Sequence, residues 1–217
     1  MGKTTSSLVL LLALVGCSLP GARTQAISYH VLQAPILAPD SASVATTQVI
    51  PVDTRRPLLL LRDTEANVFA QNPRLVYSRA AGTRAYYQYA FWTEAPPKQL
   101  QTLLRQRLLA SGLYAGVVPL ASGVRGDFQL NFRLLDFFHD AATTPGLARI
   151  RLEAELIERG NARLIAQRTF LAQAPLASQD AASAAVALGQ ASGQALDQLV
   201  AWLTAIQPSS VDLAQAR

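Results

Sequence analysis

Several side chains of this sequence are of types that take part in chemistry, including one cysteine, two histidines and several closely spaced carboxylates. The segment 136–140 (Asp-Phe-Phe-His-Asp) holds an imidazole near two carboxylates, and metal ions bind both groups. No second histidine-rich segment would complete a zinc site. Because this composition is more typical of the polar end of a strand, we expect no metal here.

Motifs of catalysis are missing from the sequence. Ser-Gly pairs at 122–123 and 192–193 lack the first glycine of a Gly-x-Ser-x-Gly elbow, and there is no glycine-rich phosphate loop. In 149–155 (Arg-Ile-Arg-Leu-Glu-Ala-Glu) the two glutamates share a strand face with two arginines, as on a solvated surface. We therefore predict a protein that is not an enzyme and has no cofactor. A hydrolase using His139 or Asp136 is the alternative.

The N-terminus has the parts of an export signal: Lys3, the apolar run 8–15, and Gly16 before Cys17. The run is much shorter than the roughly 20 residues of a membrane span. The segment 14–17 (Leu-Val-Gly-Cys) is typical of a lipobox, where a diacylglyceryl group joins the thiol and cleavage follows the glycine. Cys17 is the only cysteine, so it has no disulfide partner within the chain. We expect a signal peptide at 1–16 and an acylated Cys17 that anchors the mature chain.

Two further features bear on location and partners. Lipoproteins retained at the inner membrane usually carry Asp after the lipidated cysteine, and this chain has Ser18. The resemblance to lipoproteins therefore implies the periplasmic face of the outer membrane. The formal net charge is +5, but the arginines are scattered among acids rather than clustered, so we expect no nucleic-acid partner.

Composition divides the mature chain into three parts. Residues 17–47 combine the lipidated cysteine with a stretch rich in Pro, Ala, Ser and Thr that is typical of a flexible tether. Within it, the segment 27–32 could form a short strand. Residues 48–206 are predicted to form one folded domain, and residues 207–217 a disordered tail.

Periodicity predicts the elements of the domain. Strands are predicted at 58–62, 74–78, 84–92 and about 114–118, followed by an antiparallel meander at 127–139, 149–158 and 163–173. One helix is predicted to begin at Pro96 and end at Gly112, and another to begin with a Ser178 cap and end before Pro208. Gly189 and Gly193 predict close packing of the second helix on the sheet. The fold class is thus α+β, a single two-layer domain with two main helices on one face of a mostly antiparallel sheet.

The strand at 84–92 is unusually aromatic. Strict alternation would place Tyr87, Tyr89 and Phe91 on one face, and Tyr86 and Trp92 on the other. One interpretation is an ordinary strand with aromatic residues shared between core and surface. The other is that one face is exposed to a partner or a lipid chain, with Tyr87 and Trp92 as candidate partner-surface residues.

The segments 73–79 (Pro-Arg-Leu-Val-Tyr-Ser-Arg) and 86–96 (Tyr-Tyr-Gln-Tyr-Ala-Phe-Trp-Thr-Glu-Ala-Pro) resemble the central signature of the ABC-type transport auxiliary lipoproteins. This is the PqiC-like group that accompanies MCE proteins. Further likeness lies in 126–130 (Gly-Asp-Phe-Gln-Leu) and in the closing Ala-rich helix with Trp202. The resemblance extends over roughly residues 27–205, and its central part is carried by Pro73, Tyr77, Tyr87, Trp92 and Pro96.

The resemblance implies a non-catalytic outer-membrane lipoprotein subunit of an MCE/ABC-type system for intermembrane lipid transport or organic-solvent tolerance. Its implied partners are the MCE-domain protein and the ABC transporter of the same system, with a homo-oligomer and a phospholipid as further candidates. The alternative is a structural envelope lipoprotein that binds another outer-membrane or cell-wall component.

Overall fold

The computed structural model describes residues 26–35, 56–62 and 65–206. Cys17, the signal peptide, residues 36–55 and the predicted tail at 207–217 lie outside the described residues. In chain order the elements are β1 (Ser28–His30), β2 (Leu58–Leu61), β3 (Glu65–Ala66), α1 (Val68–Gln71), β4 (Arg74–Ser78), β5 (Ala85–Trp92), α2 (Pro96–Ala110), β6 (Gly116–Pro119), β7 (Phe128–Asp140), β8 (Leu147–Glu158), β9 (Arg163–Pro175) and α3 (Ala181–Ile206). The α+β class is confirmed. None of the helices in the described ranges is long and apolar enough to cross a membrane.

Strand β7 is the centre of a mixed, curled sheet. On one side it pairs antiparallel with β8 along nearly its whole length, and β8 pairs antiparallel with β9. On its other side β7 pairs in parallel with β2, β3 and β4 in turn. Strand β6 adds to β2, while β5 and then β1 add to β4. The long ladders are thus the predicted antiparallel meander, and the parallel ladders are short.

A bulge in β7 changes which side chains face the core. Up to Leu134, even-numbered residues point inward, as the alternation predicts. The register with β8 shifts between Leu134 and Asp136, which reverses the order. Phe137 and His139 are therefore buried, while Asp136 and Asp140 point to the outer face. This single shift brings an imidazole into the interior.

The two long helices follow from their local sequences. Pro96 lies in the first turn of α2, where its missing N–H costs no hydrogen bond, and Gly112 follows the helix with a positive φ of 65°. Helix α3 is capped by Asp180, whose Oδ1 accepts a hydrogen bond from the Ser183 backbone N–H at 2.8 Å. Because Asp180 fills that position, the predicted Ser178 cap is corrected by two residues.

Part of the predicted tether belongs to the domain. Residues 28–30 form β1 in parallel with β5, in agreement with the short strand considered for 27–32. The chain then continues in extended form, and Leu32 and Ala34 are buried. The tether prediction is therefore corrected for residues 26–35, because alternate side chains of this segment pack into the core.

Candidate functional site

A polar pocket of about 290 Å³ lies where β4, β5 and β7 meet the start of α3. Its walls include Tyr77, Arg79, Tyr87, Gln88, His139 and Gln179. Four of these residues, Tyr77, Arg79, Tyr87 and Gln88, belong to the signature segments of the sequence. We call this site the Tyr87 pocket.

The pair Tyr87–His139 forms the inner wall of the Tyr87 pocket. The Tyr87 hydroxyl lies 2.7 Å from His139 Nδ1, and the two rings are nearly parallel at 10° with centroids 6.2 Å apart. Burial lowers the pKa of His139 and outweighs the nearby Asp140 and Asp180 carboxylates, which act in the opposite direction. Burial is also the main reason that the pKa of Tyr87 is raised to about 12. The pair is thus a neutral imidazole beside a protonated phenol near pH 7.

Packing explains why His139 holds one orientation. A methyl group on Gly146 would lie 2.4 Å from His139 Nε2, so this edge of the ring is closely covered by the loop after β7. Nε2 itself is buried and makes no hydrogen bond of normal geometry. The Pro145 backbone raises the pKa of the imidazole and so acts against burial. The Tyr87 hydroxyl and His139 Nδ1 share one hydrogen bond.

The rim of the Tyr87 pocket is aromatic and cationic. The ring centroids of Tyr77 and Tyr87 are 5.0 Å apart, and the Arg79 guanidinium lies 5.3 Å from the Tyr77 centroid. The Gln179 amide donates to the Thr143 carbonyl at 2.9 Å, which ties the loop after β7 to the start of α3. Such a site can accept a polar group from a partner.

Trp92, the second candidate partner residue, lies in the core. Only 2% of its surface is exposed, and its ring packs against Phe137 with centroids 5.6 Å apart. The expectation that Trp92 lies at a partner surface is therefore corrected. Tyr87 remains a candidate because it is half-buried and lines the open pocket.

The reason for the error is a second irregularity, in the β4–β5 pairing. Arg74 pairs with Phe91, but Val76 pairs with Tyr86, so extra residues of β5 are looped out between them. Tyr86 and Phe91 consequently share the Arg74 guanidinium, at 5.0 and 5.8 Å from their centroids. Strict alternation along 86–92, which would separate these two rings, does not hold across the irregularity.

The geometry of the segment 136–140 disfavours both a metal site and a hydrolase site, because its imidazole and its carboxylates lie on opposite faces of the sheet. His139 points inward, whereas Asp136 and Asp140 are on the outer face. Asp136 Oδ2 accepts from Arg151 at 2.8 Å, and Asp140 Oδ2 accepts from Arg149 at 2.7 Å. Within residues 26–35, 56–62 and 65–206, no three His, Cys, Asp or Glu side chains are grouped as metal ligands would be.

The outer face of the meander is a charged surface. Glu153 Oε1 accepts from Arg133 at 3.2 Å, and Glu155 Oε2 accepts from Asn131 at 3.2 Å. A cavity of about 130 Å³ between these residues and Arg62 is lined mainly by charged and polar groups. The two glutamates that the sequence placed among arginines therefore belong to cross-strand pairs.

The N-terminal segment is held between α2 and α3 by Gln99 and Arg107, which sequence reasoning missed, and by Gly189. The predicted close approach at Gly189 is thus to this segment and not to the sheet. Gln99 Oε1 accepts from the Leu32 backbone N–H at 2.8 Å. Arg107, with its side chain 3% exposed, donates from Nη2 to the Pro35 carbonyl at 2.7 Å and from Nε to Asp197 at 2.9 Å. A methyl group on Gly189 would lie 2.2 Å from the Gln33 carbonyl oxygen. We call Gln99, Arg107 and Gly189 the N-terminal clamp.

Other signature residues have evident structural roles. The Pro73 carbonyl accepts from the Trp92 backbone N–H at 2.6 Å, which joins the two signature segments. Asp127 Oδ2 accepts from the Leu58 N–H at 2.8 Å and so positions the start of β2. A methyl group on Gly126 would lie 2.6 Å from Leu60 Cγ, so only glycine fits there without a shift.

Proteins of known structure share this fold. Protein XCC0632 from Xanthomonas campestris superposes with a TM-score of 0.69 at 22% identity, over 88% of this chain and 100% of the other. A second crystal structure, of an uncharacterized protein, gives 0.61 at 18% identity over 82% and 99%. No curated protein matches the sequence.

The family model described as the ABC-type transport auxiliary lipoprotein component matches residues 40–200. This range contains both signature segments, every wall residue of the Tyr87 pocket, and the three residues of the N-terminal clamp. The chain therefore belongs to the ABC-type transport auxiliary lipoprotein family.

Proposed function

We propose that this protein is a non-catalytic outer-membrane lipoprotein subunit of an MCE/ABC-type system that moves lipids between membranes. The observation that carries the proposal is the family match over residues 40–200, which implies association with an ABC transport system. Cys17 is the proposed site of lipidation, and Ser18 is the residue that favours the outer membrane. Partners in this proposal are the MCE-domain protein and the ABC transporter.

The N-terminal clamp supports the anchoring part of the proposal. Gln99 and Arg107 bind the backbone of residues 32–35, and the strand β1 lies just before them. Residue 26 is nine positions after Cys17 in the sequence. A force applied through the lipid anchor would therefore act on β1 after only a few residues of connecting chain. The N-terminal clamp would resist the removal of β1 from the sheet.

The Tyr87 pocket is the proposed partner surface. It combines aromatic rings, the Arg79 cation and the Gln88 and Gln179 amides around an open space of about 290 Å³. Aromatic and arginine side chains are enriched where protein interfaces carry most of their binding energy. The inner Tyr87–His139 pair is rigidly packed, which lowers the entropic cost of ordering the surface on binding.

The test uses a photo-crosslinking amino acid in the full-length protein in its own cells. It replaces Gln88, which is exposed at the Tyr87 pocket, and in a matched control it replaces Gln173, which is exposed on β9. We expect Gln88 to capture the MCE-domain protein or a subunit of its ABC transporter, and Gln173 not to capture it.

The outcomes separate the parts of the proposal. Capture of the transport system from Gln173 alone would move the partner surface to β9 and reject the Tyr87 pocket. Capture of only outer-membrane or cell-wall components from both positions would reject the transport role and favour a structural envelope lipoprotein.

A further inference from the structure

A second surface adjoins the Tyr87 pocket at Tyr86 and consists of aromatic rings in contact across β1, β4, β5 and α1. Its members are Tyr29, Phe69, Arg74, Tyr86 and Phe91, which we call the aromatic face. Ring centroids are 5.7 Å apart for Tyr29–Phe91 and 5.4 Å for Phe69–Tyr86. The Arg74 guanidinium joins the two pairs, since it lies near both Tyr86 and Phe91.

Exposed aliphatic side chains extend the aromatic face at both ends. Along β1 and its flanks, Ile27, Tyr29 and Val31 are 57%, 67% and 58% exposed, on the side opposite to buried Leu32. At the α1 end, Val68 is 73% exposed. Apolar side chains with this exposure, grouped around contacting rings, mark a surface that meets another apolar or interfacial medium.

The charge of the aromatic face is positive. Arg74 makes no ion pair within the described residues, and its Nε is buried without a hydrogen bond. Its guanidinium is instead held against aromatic rings, which leaves the charge available to an anion beside them. Aromatic rings with an adjacent arginine are the side chains that proteins place at the boundary between lipid headgroups and acyl chains.

The position of the aromatic face in the chain identifies what can cover it. β1 is part of this face, and the described chain begins at Ala26, nine residues after Cys17. Nine residues reach at most about 30 Å when fully extended. Any membrane that holds the acyl chains of Cys17 is therefore within reach of Tyr29, and β1 is the described element closest to the anchor in sequence.

We propose that the aromatic face rests on the phospholipid surface of the membrane in which Cys17 is anchored, and so sets the orientation of the domain. This inference rests on the lipid anchor of the proposed function. Several acyl chains already hold the protein at the membrane, so the aromatic face contributes orientation rather than attachment. With this face on the lipid, the domain has a defined side toward the periplasm.

The test measures how close the aromatic face lies to the lipid headgroups, and not whether the protein binds the vesicle. Full-length lipidated protein is reconstituted into phosphatidylcholine–phosphatidylglycerol vesicles that contain lipid brominated near the headgroup. Tyr29→Trp adds a fluorophore on the aromatic face with little change in shape. Leu171→Trp is the matched control, because Leu171 is 63% exposed on β9, which pairs only with β8 among the residues that the structure describes. The buried Trp92 and Trp202 give the same background in both variants.

We expect brominated lipid to remove most of the added emission of Tyr29→Trp and to leave that of Leu171→Trp unchanged. Equal quenching of the two variants would overturn the proposal, because the domain would have no fixed orientation. Unquenched Tyr29→Trp on protein that still floats with the vesicles would overturn it while leaving the anchor intact.

Two further outcomes identify a different cause. Loss of both flotation and quenching would reject the lipid anchor and this inference together. A photo-crosslinking residue at Tyr29 that joins a second copy of the chain in the same vesicles, and no lipid, would show a contact between copies and overturn the inference.

Discussion

The N-terminal clamp and the Tyr87 pocket use buried polar side chains in opposite ways. In the clamp, Gln99 and Arg107 each form a hydrogen bond with the backbone of the segment 32–35, and Gly189 leaves no free space beside that segment. In the pocket, the Tyr87–His139 pair satisfies one polar contact and borders an open volume of about 290 Å³.

This difference distinguishes side chains that stabilise the fold from side chains that can bind another molecule. Buried polar groups that bond to the chain's own backbone fix one conformation, and their removal leaves carbonyl groups unsatisfied. Polar groups beside open space keep donors and acceptors for another molecule. Mutations in the clamp should therefore lower stability strongly, whereas mutations in the pocket should lower it little.

The largest effect is expected for Arg107→Met. The substitution removes the donor to the Pro35 carbonyl and the partner of Asp197, and the free energy of unfolding should fall by about 3 kcal/mol. Urea unfolding of the full chain measures it. Arg105→Met on the same helix is the control, since Arg105 is exposed and makes one hydrogen bond, to Val117. Equal losses in the two variants would contradict the role of the clamp.

The second-largest loss of stability is expected for Gly189→Ala. The added methyl group meets the Gln33 carbonyl at 2.2 Å, and this overpacking should lower the free energy of unfolding by about 2 kcal/mol despite the better helix propensity of alanine. Gly193→Ala is the matched control, because its methyl group would lie 3.3 Å from the Pro35 carbonyl and needs only a small shift. A higher melting temperature for Gly189→Ala than for the unmodified protein would contradict this expectation, because it would show that the N-terminal segment can shift to make room for the methyl group.

A smaller effect is expected in the pocket for Tyr87→Phe. Loss of the hydroxyl leaves His139 Nδ1 without its hydrogen-bond partner, so the free energy of unfolding should fall by about 1 kcal/mol. Tyr86→Phe, on the neighbouring residue, should change it by less than about 0.5 kcal/mol. A loss for Tyr87→Phe as large as that of Arg107→Met would remove the contrast between the two regions.

The smallest expected effect is a dependence on pH that comes from His139. Its pKa in the folded protein is lowered by burial, so between that value and 6.5 the unfolded chain binds more protons than the folded one. His139 therefore makes the protein less stable as pH falls, by at most about 0.7 kcal/mol between pH 7 and pH 6.

Burial also lowers the pKa of His30, which would add a loss of the same sign. Measuring unfolding in a His30→Gln background isolates the contribution of His139. Stability that rises on acidification in that background would mean that the folded protein binds the proton more tightly, contrary to the packing around the imidazole.

Periodicity was sufficient to predict the elements that repeat one pattern. The meander β7–β9 alternates apolar and polar residues, and α2 has leucines at helical spacing with Pro96 and Gly112 at its ends. The parallel pairings of β2, β3 and β4 with β7 could not be read in the same way, since each short ladder joins segments far apart in the chain.

The candidate site was only partly predictable, for a related reason. Tyr87 was identified through the signature segment, but Trp92 was placed on the wrong side because the irregularity in β5 interrupts alternation. His139 was considered as a metal ligand, and the bulge in β7 turns it into the interior beside Tyr87. Arg107 and Gln99 resembled ordinary helix-surface residues, since their partners lie more than 60 positions away in sequence.

The most direct test of the account crosslinks the unmodified full-length protein, with Cys17 intact, in its own cells and identifies what is captured. The account predicts an MCE-domain protein or its ABC transporter among the captured proteins, together with an acylated Cys17 at the N-terminus of the mature chain. Capture of only outer-membrane or cell-wall components, or a mature chain without acyl groups on Cys17, would contradict it.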